Sequence, residues 1–96
     1  MKKVSVEQFK EMKKNGVFVF HSLHCFTCEE HIQTMIREVK DFFLIDTGED
    51  IDYIESLGIR LTPHTRYYKN DKVLWSKQGA LYNLQIKELK NIMKGI

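Results

Sequence analysis

A junction constrains this chain more than any other feature. Residues 17–20 read Val-Phe-Val-Phe, β-branched and aromatic throughout. Such a run reads as a strand buried on both faces, because neither face carries a polar residue to offer to water. Cys25-Phe26-Thr27-Cys28 follows within five residues, and residues 29–40 then read as a helix with Ile32, Met35, Ile36 and Val39 on one stripe. A strand that needs cover on both faces, running into an amphipathic helix, points to a layered α/β arrangement.

The remaining elements fit that plan. Ser5 followed by Gln8 makes a capping box, and Val4 and Phe9 make a hydrophobic staple, so a first helix starts at Ser5 and stops at Gly16. Residues 42–45 read as a second buried strand. Thr47 caps a short acidic helix over 49–57, with Ile51, Ile54 and Leu57 inward and Gly58 as terminator. Residues 65–69 and 73–77 read as strands joined by an Asn70-Asp71 turn, since both residues tolerate positive φ. Gly79 breaks the chain before a closing helix over 84–93, with Ile86, Leu89 and Met93 inward and Lys87, Lys90 and Lys94 outward. The order α-β-α-β-α-β-β-α predicts a parallel pair with a right-handed crossover, extended by an antiparallel hairpin. That is a four-stranded mixed sheet with helices on both faces.

Composition narrows the function. The 96 residues contain two cysteines, three apart, which excludes both a multi-bridge secreted framework and a four-cysteine zinc site. Fifteen Lys and Arg against thirteen Asp and Glu leave a net charge of +2, which gives no reason to expect a nucleic-acid or membrane-surface protein. The apolar run at 42–45 is far too short to span a bilayer, and residues 4–16 are amphipathic rather than a secretory apolar core. The expectation is a reducing cytoplasm.

The position of the cysteines supplies the chemistry. A helix start offers free N–H groups and about half a positive charge. Both favour a thiolate, so Cys25, exposed in the loop before the helix, should ionise below the free value of about 8.5. Cys28, one turn in and partly covered, could then resolve a mixed disulfide formed on Cys25. The plainer alternative is a pair of small buried residues.

On Cys25-Phe26-Thr27-Cys28 after the strand, Thr62-Pro63, and Gly79-Ala80-Leu81, in that order, the chain resembles the thioredoxin superfamily over nearly its whole length. The resemblance implies one thioredoxin-like domain over 1–96, shortened by the loss of the N-terminal strand. It implies a thiol–disulfide oxidoreductase with Cys25 as nucleophile and Cys28 as resolving thiol. It implies that Pro63, the single proline, is cis, with Thr62 offering backbone hydrogen bonds to an extended substrate and Gly79 allowing close approach. It implies no bound cofactor, a disulfide-containing protein as substrate, a separate reductase or glutathione as electron donor, and a monomer.

The departures from the family pattern are specific. His24 stands where thioredoxins usually have Trp, and would tune the charge beside Cys25. Phe26-Thr27 replaces Gly-Pro, a pairing closer to glutaredoxins, and Phe26 is a candidate substrate contact. The buried carboxylate of thioredoxins falls at Val19 and its lysine partner near Phe42. The base for Cys28 is therefore open among His24, His31, Glu29 and water. A rival reading is a zinc or copper site formed by Cys25, Cys28, His31 and either His21 or His24, since thiolate and imidazole suit soft metals. The plainer reading of His31 is a solvated helix residue. A third reading is a non-catalytic interaction module.

Overall fold

Phe18 and Phe20 face one side of a strand, Val17 and Val19 the other, and all four are buried. That strand is the middle of the sheet in a computed structural model that describes residues 1–95; Ile96, the last residue of the expected domain, lies outside the described residues. In chain order the elements are β1 (Lys2–Lys3), α1 (Val6–Glu11), β2 (Gly16–His21), α2 (Phe26–Glu38), β3 (Phe43–Asp46), a 3-10 turn (Thr47–Glu49), α3 (Ile51–Ser56), β4 (His64–Lys69), β5 (Lys72–Gln78) and α4 (Asn83–Met93). The sheet order is β1-β3-β2-β4-β5, with β1, β3 and β2 parallel, β4 antiparallel to β2, and β5 antiparallel to β4.

Each face of the sheet has its own core. On one side Phe9 of α1 and Ile54 of α3 pack on Phe18, Phe20, Ile45 and Tyr68. On the other, Met35 of α2 and Leu89 of α4 pack on Val17, Val19, Leu44 and Trp75. The inward stripe of α2 is Cys28, His31 and Met35, so the dithiol is anchored in the second core.

Several expectations hold in detail. The Ser5 hydroxyl accepts the Gln8 N–H at 3.0 Å while Gln8 Oε1 accepts the Ser5 N–H at 2.9 Å, closing the capping box. Asn70 and Asp71 adopt φ of 51° and 66°, the left-handed pair that a tight hairpin requires. The hairpin tip is also clasped from outside. Lys14 O accepts the Asp71 N–H at 3.0 Å, Asp71 Oδ1 accepts the Lys14 N–H at 2.7 Å, and Asn15 Oδ1 accepts the Asn70 N–H at 2.8 Å.

Other expectations are corrected. The sheet has five strands rather than four, and the N-terminal strand is present: β1 pairs in parallel with Phe43 and Leu44 of β3. Two lysines show no alternation to detect, yet charge is what suits a short sheet edge. The first helix ends at Glu11 rather than Gly16, because Met12 turns extended at ψ 151° and residues 14–15 go to the hairpin clasp. Gly16, at φ 110°, opens β2 instead of closing α1. Thr47 opens the 3-10 turn, and α3 is capped by Asp50, which accepts the Tyr53 N–H at 3.1 Å. Ile36, Ile51 and Met93 lie exposed at helix rims rather than inward.

Candidate active site

The helix begins three residues earlier than its apolar stripe predicts, and this decides where the sulfurs sit. Cys25 is the N-cap of α2 (φ −102°, ψ 104°), and its Sγ accepts the Cys28 N–H at 3.2 Å. A sulfur in the N-cap position takes the place of the usual Ser or Asp oxygen. The pair is disulfide-bonded with Cα atoms 5.2 Å apart, so Cys25 is not a thiolate here. The Cys28 N–H already points at the atom that carries the charge once the bond is cut. Cys25 is half-buried rather than fully exposed, and Cys28 is 1% exposed, buried rather than partly covered, because the first helical turn lies directly on the sheet.

The loop after α3 supplies the opposing wall. The Thr62-Pro63 peptide is cis. Thr62 O lies 3.9 Å and Thr62 Oγ1 3.8 Å from Cys25 Sγ, and the Thr62 hydroxyl shares a 2.9 Å hydrogen bond with the Ser22 hydroxyl. The third segment joins this loop directly, since Pro63 O accepts the Gly79 N–H at 2.8 Å. Gly79 has φ 91°, and an added Cβ would meet nothing within 4 Å. The glycine is required by its left-handed backbone rather than by crowding. His24 is exposed at φ 60°, immediately before the N-cap. Phe26 is 77% exposed, and Leu23, Leu61, Tyr82 and Leu84, on the segments around it, are exposed as well.

His31 overturns both readings of it. It is 1% exposed, hence neither solvated nor free to ligate. Its Nδ1 accepts the Leu81 N–H at 3.5 Å, which leaves the proton on Nε2 to be donated to the Thr65 hydroxyl at 2.8 Å. Burial pushes its pKa down to about 4, so the ring is neutral. The zinc or copper set of Cys25, Cys28, His31 and His21 or His24 is not assembled: among the described residues no group of three His, Cys, Asp or Glu side chains is placed to hold a metal ion.

Two site-adjacent residues escaped sequence reasoning. Thr65, fully buried two residues after Pro63, is the partner of His31, and a contact across 34 positions leaves no local signal. His64 is buried beside Phe20 on the opposite face of the sheet. Its Nε2 accepts from Arg66 Nε at 3.2 Å, and burial, then the Arg66 charge, push its pKa down to about 4.

A dithiol capping a helix after a central strand, opposed by a cis-proline loop on a mixed five-stranded sheet, defines a thioredoxin-fold dithiol protein. The comparisons agree. Chlamydomonas reinhardtii thioredoxin f2 superposes at a TM-score of 0.80 and 14% identity, over 96% of this chain and 95% of that one. Thioredoxin f from spinach chloroplast superposes at 0.77 and 19% identity, over 94% and 90%. Plasmodium falciparum thioredoxin superposes at 0.70 and 21% identity, over 99% and 97%. No protein-family model matches the sequence. No curated protein matches it either. The likeness therefore lies in three-dimensional structure, and it establishes the thioredoxin fold. No helix among the described residues is long and apolar enough to cross a membrane.

Proposed function

We propose that the chain is a single-domain thiol–disulfide oxidoreductase that reduces disulfides in protein substrates. One observation carries this reading: the Cys28 N–H directed at Cys25 Sγ, 3.2 Å away, at the start of a 13-residue helix. A thiolate there gains a charge-assisted hydrogen bond and the positive end of the helix, which lowers its pKa and raises its abundance at neutral pH.

The reaction runs in two exchanges. The Cys25 thiolate attacks one substrate sulfur, the substrate S–S bond breaks, and one substrate thiolate leaves. The Cys28 thiolate then attacks Cys25 Sγ, the mixed disulfide breaks, and the second substrate thiolate leaves. The substrate gains two electrons and the protein is left with the Cys25–Cys28 disulfide. In this reading Thr62, Pro63 and Gly79 hold an extended substrate segment and His24 favours the Cys25 thiolate. The exposed Phe26, Leu61, Tyr82 and Leu84 favour a polypeptide with apolar residues near its cysteine over a small disulfide. No cofactor is bound in the cycle. A separate reductase or glutathione returns the electrons, and the protein works as a monomer in a reducing cytoplasm.

The test is a pair of substitutions in a protein-disulfide reduction assay. Cys25→Ser is expected to abolish turnover, and Cys28→Ser to accumulate a mixed disulfide on Cys25. Full turnover by Cys25→Ser would sink the proposal.

A further inference from the structure

A buried thiol is a poor nucleophile until something takes its proton, because burial disfavours the thiolate. Cys28 is such a thiol in the reduced protein, and Val19, buried on the same face of the sheet, offers no acceptor. The groups placed to accept the proton can be sorted by position. Both nitrogens of His31 are engaged, by Thr65 and Leu81. His64 lies on the far face of the sheet. Glu29, in the first turn of α2, is exposed to solvent at the rim of the cleft beside the dithiol.

This cleft, of about 480 Å³, leads to the dithiol, and Pro63 takes no part in its lining. Cys25, Cys28 and His21 all line it. His21 is the last residue of β2, and strand alternation puts it on the face of Val17 and Val19, under the start of α2. It stands two residues beyond Val19, one step closer to the cysteines. Directly opposite it on β3, in register, is Asp46.

We propose that His21 is the proton acceptor for Cys28 in the second exchange, working across this cleft through one bridging water. The inference rests on the dithiol reading above. The step balances: the Cys28 proton passes to His21, the Cys28 thiolate bonds to Cys25 Sγ, the bond from Cys25 to the substrate sulfur breaks, and that sulfur leaves with the electron pair. His21 later returns its proton to solvent through the open cleft.

The charges around His21 come from every neighbouring element. Asp46 of β3 raises its pKa and Lys3 of β1 lowers it, while burial, the largest influence, holds it below 6.5. Glu49 of the 3-10 turn, Glu29 of α2 and His24 complete the charged or titratable lining. Glu49 is occupied by the Val6 N–H at 2.8 Å. At neutral pH the His21 ring is thus uncharged and able to accept.

The test is the rate at which a mixed disulfide with a model peptide is resolved, followed in single turnover from pH 5 to 8. The expected profile falls on the acid side as His21 becomes protonated. His21→Asn is expected to slow release about 100-fold at pH 7, the lower end for a lost general base, and to lose that acid limb. Asp46→Asn, which keeps the oxygen that caps the 3-10 turn, is expected to move the limb to lower pH, and Lys3→Gln to higher pH. These opposite shifts separate His21 from His24 and from a loss of folding. Unchanged release in His21→Asn, or a limb indifferent to both neighbours, overturns the assignment. The first exchange is read separately, by alkylation of Cys25 with iodoacetamide. An unreactive Cys25 in the unsubstituted protein overturns the dithiol reading itself.

Discussion

The two faces of the sheet are held by different physics. Against α1 and α3 the core is aromatic. Phe9 meets Phe18, Phe20, Tyr53 and Tyr68 edge-on, with ring centroids 5.3 to 6.4 Å apart. Against α2 and α4 the core is mostly aliphatic, and a polar contact, His31 to Thr65, is set into it. Apolar packing is non-directional and tolerates small slides, whereas a hydrogen bond fixes distance and angle. The face that carries Cys28 therefore has a fully buried directional tie from helix to sheet, whereas the tie on the other face, from Arg66 to the Leu57 carbonyl at the end of α3, is only partly buried. The buried tie links the three segments of the site: His31 on α2, Thr65 just after the cis-proline, and Leu81 just after Gly79.

Acid tests both faces together, since each buries one histidine. His31 and His64 are held at about 4 in the folded chain, against 6.5 for the ordinary group. Between those values the unfolded chain binds more protons, so stability is complete above about pH 6.5 and falls as pH drops toward 4. The expected loss is at most about 3 kcal/mol per histidine, measured by denaturant unfolding at stepped pH. His31→Leu and His64→Leu should each flatten about half of that dependence. A pH-independent stability would show that burial holds neither histidine neutral.

Truncation of the aromatic face comes next. Phe9→Ala is expected to cost about 3–5 kcal/mol, because it empties the centre of five rings. Cys25 alkylation in the fraction that remains folded should keep its rate. A cost below about 1 kcal/mol would mean that the aromatic face collapses around the gap.

The polar tie is smaller and more specific. Thr65→Val leaves the His31 Nε2–H without an acceptor and should cost about 1–3 kcal/mol. A double-mutant cycle with His31→Leu should recover part of that cost, since the second change removes the stranded donor. Additive costs would show that the two side chains do not act as a unit. The smallest effect is expected on the other histidine. His64→Leu removes the bond from Arg66 Nε but also a buried Nδ1 that has no partner among the described residues, so the two offset and stability at pH 7.5 should change by less than about 1 kcal/mol.

What was readable in the sequence follows the reach of each interaction. The residues of β2, the N-terminal capping box, the hairpin turn and the spacing of the dithiol are written in neighbouring positions, and all stand where the sequence puts them. The order of Cys25, Pro63 and Gly79 along the chain was readable as a fold, and the structure brings the three segments together. β1 was not readable, because two lysines carry no periodicity and their partner strand lies about forty residues on. The end of α1 was missed because the clasp that draws residues 14–15 away comes from residues 70–71. His31 was misread because a histidine on an apolar stripe shows nothing of a threonine on another strand. The place of His21 was readable in principle, since alternation from Val17 and Val19 puts it under the helix, but its meaning depends on the cleft.

The hairpin clasp has a consequence for anyone who wants to label the protein. Exposed loop tips usually tolerate inserted sequence, and the tip at Asn70-Asp71, at the opposite end of β2 from the cysteines, looks like the natural place for one. Here it is a poor choice. Three hydrogen bonds tie its two residues to Lys14 and Asn15, so an insertion would release the segment that ends α1 as well as the turn. The tip behaves as a buckle between the first quarter of the chain and the last third, and a tag placed there would unfasten it.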